Sequence, residues 1–92
     1  MMQNRSKPEI TAMMLESART GATKTKMMYN SYLSHTQVQE YVKFLQKSNL
    51  LKYENDTELY RPTEKGLKFL DLLNVLGKIV PLSNSENYKM ES

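Results

Sequence analysis

Lys24, Thr25 and Lys26 follow closely on Gly21, and further along come Ser34, His35, Thr36, Gln37 and Gln39, then Lys43 and Lys47. These side chains suit one kind of chemistry, the non-covalent recognition of a polyanion. Lysines at the start of a helix combine their own charge with the free amides and dipole found there, which favours a phosphate. Glutamine can pair through two hydrogen bonds with adenine, and threonine can reach a base edge or a thymine methyl group. Each reading has a plain alternative: a solvated helix start for Lys24–Lys26, and ordinary surface polarity for Gln37, Gln39, Lys43 and Lys47. Glu40 stands among them as an acid that can accept from a cytosine amine or form a helix salt bridge with Lys43.

Other chemistries find little support in the residue inventory. Cysteine is absent and His35 is the only histidine, so no thiolate or histidine-pair metal site is expected, and His35 reads as solvated or phosphate-facing. No glycine-rich phosphate loop, no nucleophile beside a histidine and no carboxylate pair suggests catalysis, so no enzyme activity, cofactor or small-molecule ligand is expected. The net charge is +3 and the sequence pI about 9.2, a mild excess that decides nothing alone. Its distribution is more informative: from Ala22 to Lys52 five lysines face the single acid Glu40, a local +4 that exceeds the +3 of the whole chain.

The elements that must position these residues follow from spacing and punctuation. Ninety-two residues allow one hydrophobic core, and 39% hydrophobic with 25% charged residues is a globular rather than a disordered balance. Ser6 and Pro8 announce a first helix, carried by Ile10, Met13, Met14 and Ala18 and stopped by Gly21, with residues 1–6 expected as a flexible arm. A brief β-bridge is expected at Ala22-Thr23. A short second helix then begins at Thr23 or Lys24 and ends near Ser31. After the tight connection Tyr32-Leu33, Ser34 caps a third helix to about Ser48, with Val38, Tyr41, Val42 and Leu45 inward. Tyr41 and Phe44 are read as core or near-core, while Tyr29 and Tyr32 can offer hydroxyls to a phosphate.

Asn49-Leu50 breaks the third helix. Leu51–Glu54 and Glu58–Arg61 then alternate around a polar turn, which predicts a hairpin ended by Pro62. Its tip carries Glu54, Asp56 and Glu58, so phosphate repulsion argues against deep insertion into a groove, and Lys52 and Arg61 at the base are the better backbone contacts. Thr63 and Glu64 open a fourth helix over 64–80 that is apolar on more than one face. Leu67, Leu70 and Leu73 suit the core, while Phe69, Leu72, Leu76 and Ile79 need another partner, with Leu73 also counted on that side. A two-fold homodimer is the economical cover, against the alternative of a buried helix in a monomer. Pro81 marks the end and residues 81–92 read as a frayed tail. No run is long and apolar enough to span a bilayer, and the N-terminus has no secretory h-region, which fits an intracellular, cytoplasmic protein.

The stretches Gly21-Ala22-Thr23-Lys24-Thr25-Lys26-Met27-Met28-Tyr29, Leu33-Ser34, Tyr41-Val42-Lys43-Phe44-Leu45, Asn49-Leu50-Leu51 and Tyr60-Arg61-Pro62-Thr63-Glu64-Lys65-Gly66 carry a resemblance over most of the chain. From Ile10 to about Val80 it resembles the archaeal winged-helix regulators, including small dimeric DNA-binding proteins with a C-terminal coiled-coil helix. The resemblance implies a mainly α winged helix-turn-helix domain over 7–80, ordered helix, bridge, helix, helix, hairpin, helix. It also implies duplex DNA binding through the helix-turn-helix and dimerisation through the last helix. Pro81 is a departure that counts against an extended rod but not against a compact dimer. The function expected is a duplex DNA-binding transcriptional regulator acting as a homodimer. The alternatives are an architectural, chromatin-like DNA-binding protein and a winged helix used for protein–protein interaction.

Overall fold

The computed structural model describes residues 5–79, in the order α1 (Lys7–Ser17), α2 (Lys24–Asn30), α3 (His35–Lys47), β1 (Leu51–Glu54), β2 (Leu59–Pro62) and α4 (Glu64–Ile79). Four helices and one antiparallel hairpin make a winged helix, in the order expected from the sequence. Pro81, the expected stop, and the tail 81–92 lie outside the described residues.

Every helix start is fixed by a hydroxyl that accepts an otherwise free amide. The Ser6 hydroxyl accepts from the Glu9 amide while the Glu9 carboxylate accepts from the Ser6 amide, a reciprocal capping box. Thr23 accepts from the Lys26 amide at α2, and Ser34 and Gln37 form a second capping box at α3. Thr63 accepts from the Gly66 amide at 3.0 Å and donates to the Asn49 carbonyl at 2.7 Å, tying the start of α4 to the end of α3.

The helix ends show why the turns are so short. At the end of α3 the Leu50 amide donates to the Leu45 carbonyl and Asn49 to Gln46, with Asn49 at φ +62°. This is a Schellman closure around a left-handed residue. The end of α2 repeats it: Leu33 donates to Met28 and Tyr32 to Tyr29, with Tyr32 at φ +55°. A tyrosine there is uncommon, since the left-handed region strains a residue with a Cβ. The Arg5 guanidinium compensates by donating to the Ser31 and Tyr32 carbonyls, and it also reaches the Met13 sulfur. The flexible arm expected over 1–6 therefore needs correction at Arg5, which clamps the α2–α3 turn, while Ser6 caps α1 as its place before Pro8 leads one to expect.

Gly21 does not cap α1, which already ends at Ser17 with Ala18 as its cap. At φ +100° it turns the chain instead into the bridge Ala22↔Tyr60, and a Cβ there would lie 2.8 Å from the Leu59 side chain. The bridge has both hydrogen bonds, 3.0 and 2.8 Å, so the segment before α2 forms a third, one-residue strand beside the hairpin. Within the hairpin Leu51 faces Pro62 and Tyr53 faces Tyr60, whose rings lie 4.9 Å apart. Glu58 belongs to the turn, at φ +60°, so the second strand starts one residue later than expected and takes in Pro62.

The core lies between α1, α2, α3 and β1, with α4 packed against α1 and β2. Met14, Leu15, Met27, Val38, Val42, Leu45, Leu51 and Leu70 are buried, with Tyr41 and Leu67 half-buried against them. Two aromatic expectations need correcting. Phe44 is exposed rather than core, with its ring edge-on to Tyr41 and the Lys7 ammonium 4.8 Å from its centroid. Phe69, expected to face a partner, is half-buried and packs against the core.

Candidate nucleic-acid interface

α2, the turn at Tyr32-Leu33 and α3 form the helix-turn-helix, and α3 is its second helix. The buried positions Val38, Val42 and Leu45 fix the rotation of α3 about its axis. Helical periodicity then places Thr36, Glu40, Lys43 and Lys47 along the opposite, exposed strip, with Gln39 and Gln46 on one flank and Gln37 and Phe44 on the other. Thr36, Lys43 and Lys47 thus stand where the sequence reading set them. Gln39 is displaced to a flank but exposed.

Gln37 is exposed but partly committed. Its side-chain carbonyl oxygen accepts from the Ser34 amide at 2.9 Å, which takes one of that oxygen's two lone pairs. A two-bond pairing with adenine needs both ends of a glutamine, so it either shares that oxygen with the cap or draws the side chain away from it. Ser34 spends its hydroxyl on the Gln37 amide at 3.1 Å. The amides of His35 and Thr36 remain without a backbone or capping partner at this helix start, beside two exposed side chains.

At α2, Thr23 takes the Lys26 amide, leaving those of Lys24 and Thr25. Lys24, Thr25 and Lys26 are all exposed, and Lys24, Lys26, Lys43, Lys47 and Lys52 make no ion pair among the described residues. Tyr29 and Tyr32 are the most exposed aromatics among the described residues, at 68% and 70%. Tyr32 also lies 5.9 Å from the Arg5 guanidinium.

The hairpin differs from its neighbours in charge economy. Arg61 stands directly opposite Lys52, a like-charge pair, and diagonally from Glu54. It resolves the conflict by pairing with Glu54, Nε to Oε1 at 2.8 Å. That hydrogen bond, reinforced by one from Thr57, holds the Glu54 carboxyl below its ordinary range. Arg61 is therefore an engaged guanidinium and Lys52 the free cation of the hairpin. The pair also neutralises one of the three acids at the tip.

One residue that matters here is no candidate from the sequence: Arg5 carries no signal there, being a lone cation in a polar segment. Glu40 is a candidate base contact from the sequence, and the buried positions Val38, Val42 and Leu45 set it at the centre of the exposed strip.

On α4, Leu72, Val75 and Leu76 are exposed at 64%, 53% and 47%. Leu73 lines a groove of about 450 Å³ with Ala12, Met13, Ser17 and Leu70, between α1 and α4. The side chain of Ile79 lies outside the described residues. None of the described helices is long and apolar enough to cross a membrane.

None of the curated proteins compared matches the sequence. A family model described as winged helix-turn-helix matches residues 4–80, from before α1 to beyond α4. With the helix-turn-helix, its capped α3 and the hairpin all in place, the chain belongs to the winged helix-turn-helix family.

Proposed function

We propose that this protein is a duplex DNA-binding transcriptional regulator that acts as a homodimer and sets α3 in the major groove. The observation that carries the reading is the exposed strip Thr36, Lys43 and Lys47 on the second helix of the unit, with Lys24 and Lys26 unpaired at the start of the first. In helix-turn-helix proteins the second helix of the unit enters the major groove while the first meets the backbone. Lys24, Lys26 and Lys52 then act on phosphates, supplying most of the affinity, and the start of α3 supplies base readout. Tyr29 and His35 add hydrogen bonds to the backbone. No catalytic step enters this reading. The groove assignment has a direct test. A duplex methylated at guanine N7, a major-groove atom, is expected to bind more weakly, whereas a netropsin-type minor-groove ligand leaves binding unchanged. The reverse pattern overturns it.

Dimerisation rests on the outward leucines of α4. An apolar strip of this kind, with Leu72 and Leu76 one helical turn apart, is costly to leave in water and suits a self-complementary two-fold contact. Replacing Leu72 and Leu76 with glutamate is expected to leave the fold intact, because neither side chain joins the core, and to convert dimer to monomer in sedimentation equilibrium. A wild-type chain that sediments as a monomer at about 100 μM contradicts the dimer, since even a weak interface reaches that affinity range. An acidic hairpin tip and the small net charge of +3 favour a protein partner instead, and the Arg61–Glu54 pair weakens the first of these.

A further inference from the structure

Glu40 occupies the middle of the exposed strip of α3, one turn beyond Thr36 and one turn before Lys43. The ordinary explanation for an acid there is a helix salt bridge with Lys43. The geometry does not form it: the ion pairs among the described residues are Arg19–Glu16 and Arg61–Glu54, and the Glu40 carboxylate takes no side-chain hydrogen bond either. Glu40 is exposed, carries the one negative charge between Ala22 and Lys52, and is aimed away from the core with the lysines on its own strip.

Such a charge is unfavourable against any duplex unless a donor meets it. Close to phosphates it is repelled, and it opposes the attraction of Lys43 and Lys47. Two major-groove base edges donate, the cytosine N4 amino group and the adenine N6 amino group. On adenine the donor sits beside the N7 acceptor, whose lone pair repels a second carboxylate oxygen. Cytosine offers its amine without an acceptor on the same base, so a carboxylate is matched better by cytosine than by any other edge.

We propose that Glu40 is the specificity-determining residue of this surface, accepting from a cytosine N4 amine and penalising every duplex that lacks cytosine at that position. This rests on the reading of α3 as a major-groove helix. Glu40 raises selectivity by lowering binding to the wrong sequences, not by adding general affinity.

The test is selection from a randomised duplex library by the full chain and by Glu40→Gln, which removes the charge from an exposed helix position and leaves the helix intact. Wild-type selections are expected to share a C·G pair at one fixed position. Replacing that pair with T·A is expected to weaken wild-type binding by roughly 5- to 150-fold, the usual range for one mismatched base pair. Glu40→Gln should lose most of that discrimination and bind an alternating A·T duplex more tightly than wild type. A wild-type protein that binds duplexes with no fixed cytosine, or a Glu40→Gln protein with undiminished discrimination, overturns the role of Glu40 alone. Failure of both folded proteins to bind any duplex overturns the DNA-binding reading itself, and this role with it.

Discussion

Gly66→Ala is expected to destabilise the domain by about 2 to 4 kcal/mol, a large part of the 5–15 kcal/mol that holds a domain of this size. The reason is a close approach of backbones. A Cβ on Gly66 would lie 2.3 Å from the Leu50 carbonyl oxygen and 3.3 Å from the Pro62 side chain. Neither neighbour is free to give way. The same Leu50 oxygen accepts from the Thr63 amide at 3.1 Å, and the Leu50 amide closes α3 through Leu45. Alanine must therefore push the first turn of α4 off the α3–β1 junction and lengthen that bond. Since α4 lays Leu67, Phe69 and Leu70 on the core, the displacement reaches the packing as well.

Gly77 supplies the internal control, because a Cβ there meets nothing within 4 Å. Gly77→Ala should gain about 0.5 to 1 kcal/mol from helix propensity alone. Urea unfolding of the two variants should move in opposite directions with similar slopes. Equal stability in both would show that α4 does not approach Leu50 as closely as described.

Much of this architecture is legible in the residues themselves, and the exceptions are instructive. Ser6, Thr23, Ser34 and Thr63 each announce a helix because a hydroxyl before a polar first turn has few other uses. Val38, Val42 and Leu45 give the inward face of α3 from spacing alone. Tyr32 at φ +55° was legible only as a tight connection, since nothing in a tyrosine signals a left-handed closure. Arg5, distant in sequence, donates to the carbonyls of that turn, and a long-range contact of this kind leaves no local trace. Glu58 shows the same limit in the hairpin, where a polar residue at either the last turn or the first strand position reads alike. Phe44, being aromatic, reads as core or near-core, yet helical spacing from Val38 sets it on a flank, where Lys7 covers its ring.

At the surface, charge was legible but engagement was not. Arg61 and Lys52 look equivalent as sequence. Only the diagonal registry of the hairpin brings Glu54 to Arg61 and leaves Lys52 free. Gln37 looks like an open reader, but its carbonyl oxygen completes a capping box. These commitments are decided by register and rotamer, one level above composition.

Replacing Lys24 and Lys26 together with alanine is expected to weaken duplex binding by about 10- to 100-fold near 0.1 M salt, with little dependence on DNA sequence. Both side chains are exposed and free of ion pairs among the described residues, so neither must give up a protein partner to meet a phosphate. Each lysine that neutralises a phosphate releases condensed counterion, so losing two should flatten the dependence of log K on log salt by about 1.8. The fold should be unaffected, because the Thr23 cap uses the Lys26 backbone amide and not its side chain. A double variant with the wild-type slope and the wild-type sequence preference would remove α2 from the interface. A variant with the wild-type slope and a changed sequence preference would move these lysines from the backbone to base edges.

The Glu54–Arg61 pair separates the hairpin from this electrostatic account. Arg61 is held by a carboxylate kept ionised below its ordinary range, so it offers less to phosphate than Lys52 does. The reading accordingly places affinity on α2 and α3, with the hairpin contributing through Lys52 at its base.

Whether this winged helix binds duplex DNA through lysine–phosphate contacts, as proposed, is decided by equilibrium titration of a labelled duplex with the wild-type chain across a salt series. Saturable binding is expected, with the logarithm of the binding constant falling linearly with the logarithm of salt concentration and a slope steeper than that of the Lys24→Ala/Lys26→Ala chain. A folded wild-type protein that leaves the duplex unbound at low salt would contradict it.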